Sequence, residues 1–263
     1  MNELIIPIVI VSVIAVLFGI LLVFLSKKLA VPTDERVEKI REALPGANCG
    51  GCGYASCDSY AEAIVSDGAP VNACRVGGKA SSDVIASVMG VDAGDQKELK
   101  AFVRCQGCAE SQEKLLDYRG IKSCKAVMSF YGGRPNCTYG CVGYGDCVSA
   151  CTFNAISIKD AIAVVNHDKC TGCLACVSAC PKKIIDAIDA NGGYVVACRN
   201  EEQGKYTRVN CTHGCIGCKK CEKVCEVGAV KVDGVLARID RDKCILCGKC
   251  AEGCPVKCIE LVK

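Results

Sequence analysis

The sequence predicts an α+β protein in which one N-terminal transmembrane helix precedes a cysteine-rich body that contains a duplicated module. Three observations predict this fold class. Residues 5–25 form an uncharged apolar run, and the chain of 263 residues contains 26 cysteines, far above ordinary usage. In the second half of the chain, two cysteine motifs each recur at a distance of 74 residues, which indicates that a whole module was duplicated.

The apolar run is long enough to cross a membrane. Its 21 residues would span about 31 Å as an α-helix, close to the thickness of the hydrocarbon core. Lys27 and Lys28 follow the run directly, whereas only Glu3 precedes it, so the positive-inside rule places the C-terminal body in the cytoplasm. A cleaved signal peptide is the alternative, but the run has neither a basic segment before it nor a small-residue cleavage site after it. We therefore predict a single-pass membrane helix within residues 1–30.

The cysteine content of the predicted cytoplasmic body indicates metal ligation. Because the cytoplasm keeps thiols reduced, a framework of disulfides is not expected there. The formal net charge of +3 is too small to predict nucleic-acid binding, so no nucleic-acid partner is expected. Thiolates are soft ligands that favour zinc and iron–sulfur clusters, and the spacing of the cysteines has to distinguish between these two.

Residues 31–95 are predicted to form a small domain with one metal centre. A short amphipathic helix is predicted to end before Pro45, and the segment GANCGGCGYASC follows at residues 46–57. The segment and one later position supply four thiols: Cys49, Cys52, Cys57 and Cys74. Four thiolates suffice for a single 4Fe-4S cluster, although a zinc site with the same type of ligand is the alternative at this point.

The duplicated module accounts for the second half of the chain. NCTYGCVGYGDCVSACTFNAI at residues 136–156 matches NCTHGCIGCKKCEKVCEVGAV at 210–230, and DKCTGCLACVSACP at 168–181 matches DKCILCGKCAEGCP at 242–255. Between the two motifs of each module, alternating apolar and polar residues predict a β-hairpin. The predicted organisation after the small domain is a connecting segment, module 1 and module 2: residues 96–135, 136–190 and 191–263.

The motifs of the two modules have the spacing of bacterial-type two-cluster ferredoxins. In a C-x2-C-x2-C-x3-C run, three cysteines bind one 4Fe-4S cluster and the fourth crosses to the other cluster. Three runs are complete, beginning at Cys170, Cys215 and Cys244, and this argues strongly against zinc. Crossed ligation predicts three fully ligated clusters. In module 1, one cluster is bound by Cys170, Cys173, Cys176 and Cys151. In module 2, one cluster is bound by Cys215, Cys218, Cys221 and Cys254, and the other by Cys244, Cys247, Cys250 and Cys225.

The first run of module 1 is interrupted, because Tyr144 occupies its second cysteine position. The corresponding cluster is left with three predicted ligands: Cys141, Cys147 and Cys180. Cys137, one helical turn before the run, is predicted to supply the fourth. A cluster with three ligands, or no cluster, is the alternative. Cys211 weakens the choice of Cys137, because it matches Cys137 in a module that already has its full set.

Five 4Fe-4S clusters are therefore predicted, and six cysteines remain without an assignment: Cys105, Cys108, Cys124, Cys198, Cys211 and Cys258. Cys105 and Cys108 form a C-x2-C pair that, with Cys124, suggests a sixth cluster as a further hypothesis. Cys124 and Cys198 are also 74 residues apart, which assigns them to the duplication. The unassigned cysteines are either buried thiols or ligands of an unpredicted site.

Several clusters along one chain predict an electron conduit. No catalytic residue is predicted, because no nucleophile or general base has a matching partner, and the only two histidines are His167 and His213. No G-x-G-x-x-G segment follows a strand, so neither NAD nor flavin is expected on this chain. Lys219, Lys220 and Lys223 form a basic spot that suits an acidic ferredoxin, with an ordinary solvated face as the alternative.

The order of a lone N-terminal membrane helix, the segment GANCGGCGYASC with Cys74, and tandem ferredoxin modules resembles the B subunit of the Rnf ion-translocating ferredoxin:NAD oxidoreductase complex. The resemblance covers nearly the whole chain, and the segment with Cys49 and Cys57 is its most specific part. It implies an electron-transfer subunit of a complex in the bacterial cytoplasmic membrane. Such a complex oxidises reduced ferredoxin, reduces NAD, and exports sodium ions or protons. The ligands of the family's clusters carry over to the cysteines assigned above, and Tyr144 is a departure from its ferredoxin pattern.

The resemblance implies other Rnf subunits, soluble ferredoxin and the lipid bilayer as partners, and it implies that the active site for NAD lies on another chain. Two other interpretations remain open from the sequence. One is a membrane-anchored polyferredoxin that serves a hydrogenase or another reductase. The other is a structural metal protein or interaction protein.

Overall fold

The computed structural model describes residues 2–28, 34–107, 118–130 and 137–262. The chain begins with helix α1, Asn2–Lys28, whose side chains from Val11 to Leu25 are exposed. Among the residues that the structure describes, no helix combines the length and the apolar character that crossing a bilayer requires. The transmembrane helix predicted for residues 5–25 therefore stays a prediction.

Three helices form a small unit after α1: α2, Glu35–Ala43; α3, Cys57–Ser66; and α4, Gly78–Met89. The Asp34 carboxylate caps α2 by accepting a hydrogen bond from Arg36 N at 2.9 Å. Ser56 and Ser59 form a capping box at the start of α3. The predicted amphipathic helix before Pro45 is thus confirmed as α2.

The core of this small unit lies between the three helices. Ile40 of α2, Tyr60 and Ile64 of α3 and Ile85 of α4 are all buried and pack in one cluster with Cys74. The Tyr60 hydroxyl donates a hydrogen bond to the carbonyl oxygen of Pro70 at 2.5 Å. This bond ties α3 to the loop that leads to Cys74, so the core positions the thiols of this unit.

Module 1 contains short helices and two antiparallel strand pairs. Its elements are β1, Leu99–Val103; α5, Cys124–Met128; α6, Asp146–Ser149; β2, Ile156–Lys159; β3, Ile162–Val165; α7, Ala175–Ala179; and β4, Ile185–Asp189. The predicted hairpin is confirmed as β2–β3, with Ile156 opposite Val165. Strand β1 comes from the segment predicted as a connection, yet it pairs with β4, with Leu99 opposite Asp189.

Module 2 repeats this plan. Its elements are β5, Gly193–Val196; α8, Gly204–Asn210; α9, Lys220–Lys223; β6, Val230–Asp233; β7, Leu236–Ile239; α10, Lys249–Glu252; and β8, Ile259–Val262. The second predicted hairpin is confirmed as β6–β7, with Val230 opposite Ile239. Strand β5 pairs antiparallel with β8, as β1 does with β4.

The strand pairs define which residues of the two modules are equivalent. Arg104 N donates to Ile184 O at 2.8 Å just after β1, and Ala197 N donates to Cys258 O at 2.8 Å just after β5. Cys105 therefore occupies the place in module 1 that Cys198 occupies in module 2. Spacing alone pairs Cys198 with Cys124, because module 1 carries additional chain between β1 and its first cysteine run.

Candidate iron–sulfur sites

All four cysteine runs of the two modules share one backbone conformation. The second and fourth residues after the first cysteine have left-handed φ angles between 57° and 83°: Gly143 and Gly145, Gly172 and Leu174, Gly217 and Lys219, and Leu246 and Gly248. A short helix starts after the fourth residue in every run. The run with Tyr144 has kept this loop, so the loss of its cysteine left the backbone of the binding loop intact.

The loops pack too closely to admit side chains at certain glycines. A Cβ atom at Gly172 would overlap the carbonyl oxygen of Leu99 in β1. A Cβ atom at Gly51 would overlap the carbonyl oxygen of Cys173, which belongs to a different cysteine motif. The segment GANCGGCGYASC therefore lies directly against module 1.

Thiol group 1 consists of Cys49, Cys52, Cys57 and Cys74, which line one cavity together. The Cys74 thiol is close enough to the other three to interact with them electrostatically, and burial raises its pKa. Gly77 N donates to Cys74 Sγ at 3.4 Å. The four cysteines predicted for the small domain thus converge in the structure.

Thiol group 2 consists of Cys151, Cys170, Cys173 and Cys176. Burial raises the pKa of Cys176 to about 12, and its thiol interacts electrostatically with the other three. Ala155 N donates to Cys151 Sγ at 3.3 Å, and Ala101 N donates to Cys170 Sγ at 3.4 Å. The crossed ligand set predicted here is brought together, and Cys173 also interacts with Cys49 of thiol group 1.

Thiol group 3 surrounds the interrupted run. Its cavity is lined by four cysteines: Cys124, Cys141, Cys147 and Cys180. The Cys147 thiol, whose pKa burial raises to about 12, interacts electrostatically with Cys124 and Cys180. The residues that line this cavity do not include Cys137, the fourth ligand predicted from the sequence. Helix α5 instead brings Cys124 to the place that the missing cysteine leaves.

Asp146 positions Cys124 in thiol group 3. Its carboxylate accepts hydrogen bonds from Cys124 N at 2.9 Å, Lys125 N at 2.9 Å and the Ser123 hydroxyl at 3.0 Å. Burial raises the pKa of Asp146, but these hydrogen bonds outweigh burial and the net effect is a lowered pKa. The carboxylate therefore stays charged and holds the start of α5 against the run.

Tyr144 packs against the segment that delivers Cys124. Its ring lies 6.0 Å from the ring of Tyr118 in an edge-to-face arrangement, and both residues pack against the cluster of Cys124, Val127 and Val142. The residue that replaced a cysteine in the run thus helps to anchor the part of the chain that supplies another cysteine.

Thiol group 5 consists of Cys215, Cys218, Cys221 and Cys254, all of which line one cavity. The Cys258 thiol lies 3.7 Å from Cys254 Sγ. Hydrogen bonding by Cys258 lowers the pKa of Cys254 to about 5 and is the main cause that lowers the pKa of Cys215 to about 6. The crossed ligand set predicted for this group is brought together, with Cys258 as an additional sulfur beside it.

Thiol group 6 is the name used for the predicted crossed set of Cys225, Cys244, Cys247 and Cys250, of which the structure brings the last three together. Burial raises the pKa of Cys250, whose thiol interacts electrostatically with Cys244 and Cys247. Cys225 follows α9 and packs against the same hydrophobic core as Cys250. Cys247 is exposed, as is Cys218 of thiol group 5, so both thiol groups of module 2 reach the surface.

Thiol group 4 consists of Cys105, Cys137, Cys198 and Cys211, three of which the sequence left unassigned. Burial raises the pKa of Cys137 to about 12, and its thiol interacts electrostatically with the other three. Cys108, the partner of Cys105 in the predicted C-x2-C pair, lies outside the described residues. Cys124, the third member of that hypothesis, belongs to thiol group 3 instead.

In the described parts of the chain, no group of three or more His, Cys, Asp or Glu residues has the geometry for a single metal ion. A 4Fe-4S cluster is a different case, because each of its four thiolates binds a separate iron at a corner of the cube. Sequence reasoning missed Cys124 as a member of thiol group 3. The available signal was the coincidence, within one module, of a lost cysteine at Tyr144 and an excess of cysteines upstream.

Family models match three parts of the chain. An Fe-S cluster model matches residues 44–76, a 4Fe-4S binding domain model matches residues 163–186, and a 4Fe-4S dicluster domain model matches residues 214–260. The first match covers thiol group 1. The other two cover cysteine runs of modules 1 and 2, so iron–sulfur binding domains are present in the small unit and in both modules.

The chain is also similar to curated proteins over most of its length. It is 42% identical to the B subunit of the ion-translocating oxidoreductase complex of Methanosarcina acetivorans, with 92% of each chain covered. It is 41% identical to the B subunit of the Na(+)-translocating ferredoxin:NAD(+) oxidoreductase complex of Acetobacterium woodii, with 98% of this chain and 78% of the relative covered. It is 35% identical to the B subunit of the proton-translocating ferredoxin:NAD(+) oxidoreductase complex of Clostridium ljungdahlii, with 100% of this chain and 94% of the relative covered.

Proposed function

The chain belongs to the family of B subunits of ion-translocating oxidoreductase complexes, and from this membership we propose that it relays electrons from reduced ferredoxin towards partner subunits that reduce NAD. Export of sodium ions or protons is coupled to the reaction in the assembled complex. The observation that carries the proposal is the series of thiol groups formed by motifs with ferredoxin spacing, supported by the 4Fe-4S family matches.

Five thiol groups each bind one 4Fe-4S cluster in this proposal: groups 1, 2, 3, 5 and 6. When bound, a cluster supplies reversible one-electron chemistry, and the thiolates, backbone amides and burial around it set its potential. In group 3, Cys124 is the fourth ligand in place of Cys137, because Cys124 lines the cavity with the other three cysteines. Backbone amides donate hydrogen bonds to the sulfurs of Cys74, Cys151 and Cys170, and such bonds tune the potential of a cluster held there.

Neighbouring thiol groups support a relay along the chain. Cys49 of group 1 interacts electrostatically with Cys173 of group 2, and Cys176 of group 2 interacts with Cys147 of group 3. Within module 2, groups 5 and 6 share one hydrophobic core that contains Cys215, Cys221 and Cys250. One electron passes at each step, and no bond forms or breaks. The chain contributes the path, whereas the reduction of NAD takes place on a partner subunit.

The exposed end of module 2 is the proposed entry point for electrons. Cys218 and Cys247 are exposed there, so a donor can approach both thiol groups of this module closely. Lys219, Lys220 and Lys223 are exposed beside Cys218 and form a basic surface. A positive surface next to an accessible redox site favours an acidic one-electron donor such as a soluble ferredoxin, chiefly through a faster association rate.

Helix α1 is the proposed membrane anchor, with the body on the cytoplasmic side of a bacterial cytoplasmic membrane. The support for this anchor is the sequence, in which residues 5–25 form an uncharged run of 21 mostly apolar residues contained in α1. Only residues 29–33 separate α1 from the small unit, so an extended chain keeps Asp34 within about 20 Å of the end of the helix. Thiol group 1 is thereby held near the membrane.

Anaerobic purification of the full chain, with iron and sulfide analysis and redox-poised EPR, tests the proposal. We expect at least about 20 irons and an equal amount of sulfide per chain, with several low-potential 4Fe-4S signals. Copurification of membrane and flavin-bearing subunits of an ion-translocating oxidoreductase would support the assignment to a complex. Zinc in place of iron, or a colourless protein with few irons after reconstitution, would refute the electron-transfer function.

A further inference from the structure

Thiol group 4 combines equivalent positions from both modules. Cys105 follows β1 and Cys198 follows β5, and these two strands are equivalent in the duplicated fold. Cys137 and Cys211 are 74 residues apart, the spacing of the duplication. The same two positions of each module therefore face each other across the junction between the modules.

The four thiols of group 4 are close together and shielded from water. The Cys137 thiol interacts electrostatically with Cys105, Cys198 and Cys211, and Cys198 also interacts with Cys105. Cys137, Cys198 and Cys211 are each only 7% exposed. Buried cysteines can serve as separate small hydrophobic residues, but that role does not explain why four of them from distant parts of the chain meet at one point.

Backbone amides are directed at the sulfurs of group 4 as they are in the groups with ferredoxin spacing. Cys141 N donates to Cys105 Sγ at 3.5 Å, and the equivalent Cys215 N donates to Cys198 Sγ at 3.3 Å. Asn200 N donates a second hydrogen bond to Cys198 Sγ at 3.4 Å. The sulfurs of Cys74, Cys151 and Cys170 in groups 1 and 2 accept backbone amide hydrogen bonds of the same kind.

Contacts between the modules hold the segments that carry these cysteines. Asp186 of module 1 binds Arg104 of the same module at 3.0 Å and Arg199 of module 2 at 3.3 Å, and these arginines are the immediate neighbours of Cys105 and Cys198. Gln106 Nε2 donates to Glu260 Oε2 of β8 at 2.7 Å. The junction around group 4 is therefore built from specific polar contacts on both sides of Cys105.

We propose that Cys105, Cys137, Cys198 and Cys211 bind a further 4Fe-4S cluster at the junction of the two modules. The inference rests on the proposed electron-transfer function, which makes iron–sulfur chemistry the use of the other thiol groups. Its position supports a bridging role, because the amides of Cys141 and Cys215 link its sulfurs to the first cysteines of groups 3 and 5. The six thiol groups then form one series across the whole body.

The proposed step is a single-electron transfer. With clusters bound, the cysteines of group 5 would hold the centre that gives up one electron received from a low-potential ferredoxin. The cysteines of group 4 would hold the centre that accepts this electron and passes it to the centre held by group 3. No bond forms or breaks, and no proton is required for the balance.

The test compares cysteine variants of the full chain, purified and reconstituted without oxygen. We expect about 24 irons in the wild type and a loss of about one sixth of the iron and sulfide in both Cys137→Ser and Cys211→Ser. The EPR spin count of the fully reduced protein should fall by the same fraction. Thr212→Ser is the matched control, because it makes a change of similar size at an exposed position next to Cys211, and it should keep the wild-type iron content.

Three outcomes would overturn the inference while leaving the proposed function intact. One is a wild type with about 20 irons and no loss in either variant. Another is one zinc per chain that both variants lose, which would make group 4 a structural zinc site. The last is a loss of iron in Cys108→Ser but not in Cys211→Ser, which would refute this ligand set. A wild type almost without iron would instead refute the proposed function itself.

Discussion

Modules 1 and 2 build the same thiol site with different residues. In module 2, Cys218 completes a run of regular spacing, whereas module 1 has Tyr144 at the equivalent position and draws Cys124 from the additional chain after β1. Asp146, which holds α5 in place, corresponds to Lys220 in module 2. A loop can therefore keep its backbone while the fourth thiol of the group comes from elsewhere in the chain.

Among the substitutions that test this comparison of the modules, removal of Cys124 should change the iron content of the chain most. We expect Cys124→Ala to lose about four irons, because thiol group 3 then has three thiolates. The double variant Cys124→Ala/Cys137→Ala should lose about eight, since the two cysteines serve different groups. Iron and sulfide analysis of the single and double variants measures this. If the double variant lost no more than Cys124→Ala alone, the two cysteines would serve one cluster.

Conversion of module 1 to the cysteine pattern of module 2 should reverse that loss. Because the run around Tyr144 has kept its backbone, Tyr144→Cys should restore the missing irons in the Cys124→Ala background. The microwave-power saturation of the restored EPR signal of module 1 should resemble that of the module 2 signals. Tyr144→Ser in the same background is the matched control and should restore nothing. Failure of Tyr144→Cys to raise the iron content would contradict the claim that the loop is preserved.

A smaller effect is expected from Asp146→Asn, because module 2 lacks this carboxylate. The substitution weakens three hydrogen bonds at the start of α5, each worth about 1 kcal/mol or somewhat more with a charged acceptor. Group 3 should then lose iron to a chelator several times faster than in the wild type, with the other groups unaffected. Asp83→Asn, at an exposed position of α4, is the control and should leave the rate unchanged. Equal rates in both variants would remove Asp146 from its positioning role.

The pH dependence of iron loading should also differ between the modules. Burial raises the pKa of Cys141 and Cys147 in group 3 to about 12. In group 5, burial raises the pKa of Cys221 to about 11, whereas hydrogen bonding by Cys258 lowers the pKa of Cys254 to about 5. Because iron binds thiolates, lowering the pH depletes the thiolate of both Cys141 and Cys147 in group 3, each about tenfold per pH unit, but in group 5 Cys254 stays ionised and Cys221 is depleted in this way. Lowering the pH of reconstitution from about 9 to about 6 should therefore slow the loading of group 3 more than that of group 5, as followed by EPR.

The smallest effect is expected from Cys258→Ala. The Cys258 thiol lies 3.7 Å from Cys254 Sγ, and its hydrogen bonding is the main cause that lowers the pKa of Cys254. Hydrogen bonds to ligand sulfurs raise the reduction potential of a cluster. The variant should keep its iron but show a more negative potential for the group 5 signal in a redox titration. Ile184 stands at the equivalent position of module 1, so a change in the group 3 signal would contradict this explanation.

Residue spacing predicted the regular parts of the molecule well. The two hairpins and the convergence of groups 1, 2 and 5 follow from motifs in which every ligand lies within a local loop or crosses by a known rule. The family was also recognisable from the same motifs. These features depend on short-range geometry, which a sequence states directly.

The cysteine that joins Cys141, Cys147 and Cys180 in the cavity of group 3 could not be identified from spacing. Cys137 is nearer to the interrupted run in sequence, but the path of the chain between β1 and α5 decides which thiol reaches the cavity. That path depends on Asp146 and on the packing of Tyr118 against Tyr144. The same additional chain hid the equivalence of Cys105 and Cys198, which only the strand pairing revealed. Group 4 was invisible for this reason.

Freeze-quench EPR after mixing the oxidised full chain with excess reduced ferredoxin tests the continuity of the relay most directly. In the wild type, the signals of module 2, module 1 and the small unit should all appear within the time of the first few electron transfers. In Cys211→Ser, reduction should stall at module 2, and the signals of module 1 and thiol group 1 should appear at least about tenfold more slowly. Simultaneous reduction of both modules at wild-type rates in the variant would contradict a relay that passes through their junction.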